Sequence, residues 1–258
     1  MTGAKTRLSV FSGDGLSVLR SFISGTTLFS FDLDGTLAPI VPDPGMIVIA
    51  DEVRDRMKLL CSLAPVAVLT GRSCDDARGR LGFEPRFIVG NHGAEGVPGW
   101  EKREPEFVRL CLDWEGQLQG LLPRASDNGI VIENKGASLS LHYRNSPKAG
   151  AALSGIMLAV KQLKPRPRRV SGKYVENILP EHSLNKGEAL LQIMRNAGAT
   201  RAVFVGDDDT DEDVFRMRNS RILGIRVGDG SQSQASYVLP HQGNIDLLLG
   251  EIINRLGL

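Results

Sequence analysis

Cysteine is scarce in this chain. Cys61, Cys74 and Cys111 are its three, an odd number, scattered, with no C-x-x-C pair. That argues against a disulfide framework or a zinc site and fits a reducing cytosol. Long apolar runs are absent as well. No stretch approaches the ~20 apolar residues a membrane helix needs, so no membrane partner is expected. Residues 1–27 are rich in Gly and Ser and lack the continuous apolar core of a signal peptide. They read as an extension that does little for the fold, and the expected location is cytoplasmic. Charge of one sign is missing too: 31 Lys and Arg against 30 Asp and Glu leave a net charge of +1. No global bias toward nucleic acid follows. The four His residues show no H-E-x-x-H spacing.

What is present is a chain of 258 residues, 41% hydrophobic and 24% charged, ordinary for a globular protein. The length suits one large domain or two modest ones. Leu28, Phe29 and Phe31 lie in a buried strand over 28–33, and Pro39, Pro42 and Pro44 mark the loop after it. Val53, Met57, Leu60 and Cys61 sit at helical spacing, and Val66 to Leu69 and Phe87 to Gly90 read as two more strands. This is β-α-β-α-β, the pattern of an α/β doubly wound parallel sheet.

The rhythm changes near Gly96-Val97-Pro98-Gly99. A helix over 103–122, strands over 129–133 and 137–143, a helix from Pro147 to about Lys164 and one strand over 169–179 make an α-β-β-α-β block. Leu139, Leu141 and Tyr143 alternate with Ser138, Ser140 and His142, which predicts one buried and one wet face. The sheet pattern then resumes with a helix from Lys186 to Asn196 ending at Gly198, a strand over 202–205, a helix from about 211, strands near 222–227 and 236–239, and a final helix over 245–256. The expected organisation is an extension over 1–27, a core domain over 28–98 and 179–258, and an inserted α+β domain over 99–178.

Two acidic clusters follow strands. Asp32 and Asp34 stand in Phe31-Asp32-Leu33-Asp34-Gly35-Thr36, and six acids occupy Asp207 to Asp213. In a parallel sheet, chemistry gathers beyond the carboxyl ends of the strands, so both clusters converge there. Crowded carboxylates repel unless a cation sits among them. Asp32 and Asp34, two apart on extended backbone, point to one side, which suits a nucleophile beside a general acid and base. Alone, the D-x-D-G is as readily a polar strand end closing in an Asp-Gly turn. Helix-capping preferences explain Thr210, Asp211 and Glu212, but not Asp207 at a strand tip. A bound divalent cation explains both.

Thr70-Gly71-Arg72 ends the second strand. A hydroxyl and backbone N–H groups there could hold a phosphoryl oxygen, although a simple strand-to-helix cap is the better reading of that segment alone. Lys186 opens a helix, where the macrodipole disfavours a cation, so an anionic neighbourhood is expected around it. Cys74 to Arg80 matches C-x5-R, the phosphate loop of cysteine-dependent phosphatases. Asp75 and Asp76 would repel the anion, so the match reads as a coincidence on a helix start. The basic run from Lys164 to Arg169 lacks the aromatic interleaving of a single-strand binder and reads as a solvated loop.

In order, Asp32-x-Asp34-Gly35-Thr36, Thr70-Gly71-Arg72, Lys186 and Gly206-Asp207-Asp208-x-x-Asp211 resemble the four motifs of the haloacid dehalogenase-like phosphatases. Gly90-Asn91-His92-Gly93-Ala94-Glu95, Glu133-Asn134-Lys135-Gly136, His142-Tyr143-Arg144, Gly172-Lys173 with Glu176, and the acidic string from Gly206 resemble the trehalose-6-phosphate phosphatase family within them. The likeness spans about residues 28–250. It implies a Rossmann-like core with an inserted cap between the second and third motifs, and a small sugar-phosphate substrate. It implies that Asp32 attacks phosphorus to form an aspartyl-phosphate, and that Asp34 protonates the leaving oxygen and then activates water. Mg²⁺ would be held by Asp32, the backbone carbonyl of Asp34 and Asp207, with Asp208 near or in the shell. Thr70 and Lys186 would bind the phosphoryl group, with Gly71 and Arg72 on the same motif, and Asp211 would support Lys186 or a metal-bound water. In the cap, Glu133, Lys135 and Glu176 would read the sugar. A monomer is the default expectation. Relatives acting on sucrose-phosphate or mannosylglycerate-phosphate, or a non-catalytic sugar-phosphate sensor, share the same core motifs.

Overall fold

The computed structural model describes residues 7–257. The chain divides into two compact units, one of residues up to Gly93 and from Asn185 onward, the other Ala94–Leu184. In the first unit β1 (Leu28–Phe31), β2 (Val66–Leu69), β3 (Phe87–Val89), β8 (Ala202–Gly206), β9 (Ile222–Val227) and β10 (Tyr237–Leu239) form one sheet in the order β10-β9-β8-β1-β2-β3. Every pairing is parallel. β1, β2 and β8 are buried along their whole length, which is why their sequences run apolar rather than alternating.

Helices cover both faces. α2 (Asp51–Leu63), α3 (Cys74–Leu81) and α8 (Ile245–Gly257) share a core with Phe29, Phe31, Val68 and Val205. On the other face Phe204 meets Phe215 of the one-turn helix α7 (Glu212–Phe215) edge to face, and α7 contacts α6 (Lys186–Ala197). α6 starts in a reciprocal capping box between Asn185 and Glu188 and stops at Gly198, whose φ is +68°.

Residues 1–6 lie outside the described residues, but the rest of the expected extension is part of the fold. α1 (Gly13–Phe22) is capped by the Ser12 hydroxyl, and Val10 and Leu19 are fully buried in the same core as α2 and α8. The amide of Val10 donates to Val238 O and the amide of Val238 donates to Leu8 O, so residues 8–10 cover the open edge of β10. The Gly and Ser residues there cap and turn the chain, and the apolar positions between them supply the packing.

The second unit holds α4 (Glu104–Leu121), β4 (Val131–Asn134), β5 (Leu139–His142), α5 (Ala149–Gln162), β6 (Arg168–Gly172) and β7 (Val175–Leu179). Its sheet is antiparallel, in the order β4-β5-β7-β6. Trp114 and Leu118 of α4 and Ile156 and Val160 of α5 pack on Leu139, Leu141 and Ile178. Two expectations change here. The single strand over 169–179 is a hairpin, because Lys173-Tyr174 turns the chain with Tyr174 at φ +62°. The serine face of β5 is not wet: Ser138 and Ser140 are buried, and Ser140 Oγ bonds to Asn177 Oδ1 at 2.6 Å. The Ser140 hydroxyl thus finds its partner on the neighbouring strand β7 instead of in water.

Candidate active site

Asp32 is the first residue past β1 and Asp207 the first past β8. These strands are neighbours, with Phe31 opposite Val205, so positions 175 apart in sequence meet at one sheet edge. The chain folds back there through Gly35, at φ +87°. A Cβ on Gly35 would lie 2.1 Å from Asp207 Oδ2, so both the turn and the close approach of the two tips need glycine. Gly206 is similarly tight: a Cβ there would sit 2.3 Å from the Asp211 carboxylate.

Lys186 reaches into this acidic edge from the first position of α6. Its Nζ donates to Asp32 Oδ1 at 2.8 Å and to Asp211 Oδ1 at 2.7 Å, and all three residues are buried. The sequence puzzle of a cation at a helix N-terminus is thereby answered: burial opposes its charge, but Asp211, Asp32 and Asp208 hold it well above the ordinary lysine range. Asp207 Oδ1 accepts from Thr36 Oγ1 at 3.2 Å. Burial, then the charges of Asp211 and Asp208, push Asp207 up to about 7, and burial pushes Asp211 up to about 6 against the pull of Lys186. Asp32 is raised by burial well above the usual carboxylate range, although Lys186 opposes the shift.

Carboxylate oxygens of Asp32, Asp207 and Asp211 all lie within 4.8 Å of one another. Buried carboxylates raised by one another's charge lack positive charge. Hard oxygen donors in such a group match a hard divalent cation such as Mg²⁺, so the residues present fit the expected ion. The cluster differs from the expected ligand set in two side chains. Asp211, expected to support Lys186 or a metal-bound water, bonds to Lys186 and also joins the cluster. Asp208 turns back to cap its own loop, accepting from Thr210 N, Thr210 Oγ1 and Asp211 N at 2.7, 2.6 and 3.1 Å. Burial would raise Asp208, but Lys186 and these bonds win and bring it down to about 2.

Arg72 makes a two-pronged pair with Asp34, from Nε at 2.7 Å and Nη2 at 2.6 Å, and also binds Asp76 and Pro44 O. Asp34 is therefore held by a neighbour from just past the end of β2. Thr70 Oγ1 accepts the Arg72 amide at 3.2 Å and closes a turn, whereas the cap of α3 is Ser73, whose hydroxyl accepts the Asp76 amide. Gly71 packs against the ring of His92, its absent Cβ leaving room for the imidazole. Cys74 is buried at the start of α3, its thiol 3.5 Å from Ile88 O, and Arg80 is engaged by Asp76, so the C-x5-R string builds no phosphate loop.

In the second unit Glu133 accepts from His142 Nε2 at 2.8 Å and lies 3.7 Å from Lys135 Nζ. Glu176 is not with them. Glu133 stands opposite Ser140, and Ser140 opposite Asn177, whereas Glu176 stands opposite Leu141. Directly opposed residues share a face, so Glu176 is on the Leu139/Leu141 side of the sheet and Asn177 is on the Glu133 side. Glu176 is buried there and paired with Arg169 at 2.9 Å.

Sequence reasoning did not single out Thr36, His92 or Arg226 as site residues. Thr36 is inside the first acidic motif and could have been found there. Asn91, His92 and Gly93 all have positive φ, and only the glycine advertises this. Arg226 Nη1 donates to Asp208 O at 2.9 Å from β9, a position no motif marks.

A family model described as Trehalose-phosphatase matches residues 30–241. The trehalose-6-phosphate phosphatase of Escherichia coli (strain K12) is 34% identical over 227 residues, covering 84% of this chain and 83% of that protein. Probable trehalose-phosphate phosphatase 9 of Oryza sativa subsp. japonica is 30% identical over 231 residues, covering 76% of this chain and 60% of that protein. The chain thus spans less than two thirds of that plant relative's length. Among solved structures, the C-terminal domain of Candida albicans trehalose-6-phosphate phosphatase superposes with a TM-score of 0.77 at 21% identity, over 96% of this chain and 99% of that one. A haloacid dehalogenase-like hydrolase from Bacteroides thetaiotaomicron superposes at 0.59 with 16% identity, over 88% and 99%. These two show that the fold is shared.

Proposed function

We propose that this chain, which belongs to the trehalose-phosphatase family, hydrolyses trehalose 6-phosphate to trehalose and phosphate through a phosphorylated aspartate. The observation that carries the reading is the buried meeting of Asp32, Lys186, Asp211 and Asp207 at one edge of the parallel sheet. In this reading Asp32 Oδ attacks phosphorus, the P–O bond to the sugar breaks, and the sugar oxygen takes a proton from Asp34. Asp34 then takes a proton from water as that water attacks the aspartyl-phosphate, releasing phosphate and restoring Asp32. Lys186 and Thr70 neutralise and hold the transferring oxygens, and Asp211 keeps Lys186 in place. Arg72 orients Asp34 through its paired hydrogen bonds. Mg²⁺ held by Asp32, Asp207 and the Asp34 carbonyl, with Asp211 or Asp208 completing the shell, would supply charge stabilisation for the phosphoryl group.

Sugar recognition is assigned to Glu133 and Lys135, with His142 fixing the Glu133 carboxylate. Asn177, which shares their sheet face, replaces Glu176 in this role. A carboxylate, an ammonium and an amide together offer acceptors and donors for sugar hydroxyls.

The test is phosphate release from trehalose 6-phosphate, sucrose 6-phosphate and glucose 6-phosphate with magnesium, using Asp32→Asn as control. Preference for trehalose 6-phosphate, lost with Asp32→Asn and with chelation, is expected. Equal rates on the three sugars would overturn the substrate, and full activity in Asp32→Asn would overturn the mechanism.

A further inference from the structure

Away from the acidic edge, the first unit carries a groove of about 920 Å³ between α1, α7 with its trailing loop, the start of β9 and the 231–237 segment. Its lining contains two arginines, Arg7 and Arg218, and no Asp or Glu. Arg7 donates twice to the Ser233 carbonyl, at 3.2 and 2.7 Å, and Arg218 donates to Gln234 Oε1 at 3.3 Å. Both guanidinium groups therefore rest on consecutive residues of one wall through neutral acceptors, and neither makes an ion pair among the described residues. Arg218 is held at φ +47°, a conformation uncommon for a residue with a side chain. Ser231, its hydroxyl donated to Asp229, and Ser236 line the same space, and Val18, Phe22 and Tyr237 give it an apolar side.

Arg7 spends its Nε–Nη2 edge on the Ser233 carbonyl, and the donors left over on its Nη1 and on Nε and Nη1 of Arg218, with no carboxylate paired to them, can meet an oxyanion. An apolar wall beside a few convergent polar groups is the make-up of a small-molecule site. The groove's wall is also tied to the catalytic loop. Buried Glu212 follows Asp211 directly in the chain. It accepts from Ser233 Oγ at 2.6 Å and from the Gln234 amide at 3.0 Å, and it lies 3.4 Å from the same Arg226 nitrogen that donates to Asp208 O. Ser233 and Gln234 thus hold an arginine on one side and Glu212 on the other.

We propose that this groove is a second, oxyanion-binding site for a small phosphorylated or carboxylated molecule with an apolar body, and that its occupancy is felt at the acidic pocket through Glu212. The site itself does not depend on the phosphatase reading. The coupling does, to the extent that the acidic pocket binds magnesium.

The probes are phenylphosphonate, benzoate and inorganic phosphate, added to the full chain and followed by amide chemical shifts. Phenylphosphonate is expected to give saturable shifts over 218–224 and 231–237, with half-saturation below about 1 mM. Tighter binding of phenylphosphonate than benzoate identifies a phosphate-type ligand, and the reverse identifies a carboxylate. Either exceeding inorganic phosphate supports the apolar wall. The Arg7→Ala/Arg218→Ala double variant is expected to weaken binding at least about tenfold while leaving phosphate release without probe unchanged. Shifts confined to the acidic pocket, or unaltered in the double variant, overturn the site. For the coupling, magnesium affinity is titrated calorimetrically with and without phenylphosphonate. A change of at least about twofold, present in the natural chain and absent in the double variant, is expected. Groove binding with unmoved magnesium affinity overturns the coupling alone. Neither readout needs turnover, so each can fail while the phosphatase assignment stands.

Discussion

The two sheets of this protein assemble side chains by different rules. In the parallel sheet every strand ends at the same edge, so any polar residue that directly follows a strand is delivered to one place. Asp32, Thr70 and Asp207 each follow β1, β2 and β8 in this way, whatever their separation in the chain. In the antiparallel sheet, strand ends alternate and the parity of the register decides which face a residue joins. Glu133 and Glu176 come from strands separated only by β5, yet a one-residue difference in register sends them to opposite faces. Motif reading therefore works well for the first sheet and poorly for the second.

The contrast can be broken most sharply at the parallel edge. Asp32→Asn is expected to lower phosphate release by at least about 10³-fold in steady-state assays, because the proposed nucleophile would act as part of a unit. A loss under about tenfold would remove Asp32 from the chemistry.

Lys186→Ala leaves Asp32 and Asp211 buried without their shared cation. Removing one partner from a buried ion pair costs about 3–5 kcal/mol, so unfolding by denaturant in chelator should show a loss of that order. A loss below about 1 kcal/mol would mean the carboxylates are already protonated or hydrated there.

Magnesium and pH give a third probe of the same edge. Asp207 is raised to about 7 and Asp211 to about 6, so the metal-free folded state holds protons that an unfolded aspartate releases near about pH 4. These groups then subtract stability as pH rises from about 4 to about 7. A cation displaces the same protons. Its stabilisation should therefore be small at about pH 5 and reach several degrees in Tm by about pH 8. A magnesium effect that is flat across that range would contradict the charge picture of the pocket.

The smallest effects belong to the antiparallel sheet and sharpen the register argument. Glu133→Gln is expected to raise KM about tenfold with kcat nearly retained, as loss of a charge-assisted hydrogen bond to the sugar. Glu176→Gln should change KM less than about twofold. It should cost under about 1 kcal/mol of stability, since its Arg169 partner is about a third exposed. Equal KM effects from the two variants would refute the assignment by face.

Much of this was legible in advance for a simple reason. A strand buried on both faces must be apolar throughout, so Val66 to Leu69 and Ala202 to Val205 announce themselves, and the polar residue after each is conspicuous. The acidic string was equally visible, but not how its members divide the work. Asp207 and Asp211 turn toward Asp32, while Asp208 folds back on Thr210. That division depends on backbone direction at each residue of a tight loop, which composition does not encode. Residues 8–22 were misread because capping serines and glycines resemble a flexible tail until a core is present for Val10 and Leu19 to enter.

The amino-acid order alone determined that the chain has an α/β core interrupted by a second α+β region, and that carboxylates and a lysine follow its strands. Those are local properties, written in hydrophobic period and in the residue after each run. The tertiary structure decided which two carboxylates Lys186 holds, that Arg72 takes Asp34, that Glu176 faces away from Glu133, and that two arginines distant in sequence border one groove with no acid in its lining. Those depend on pairing register and on contacts between distant segments, which exist only once the chain has closed on itself.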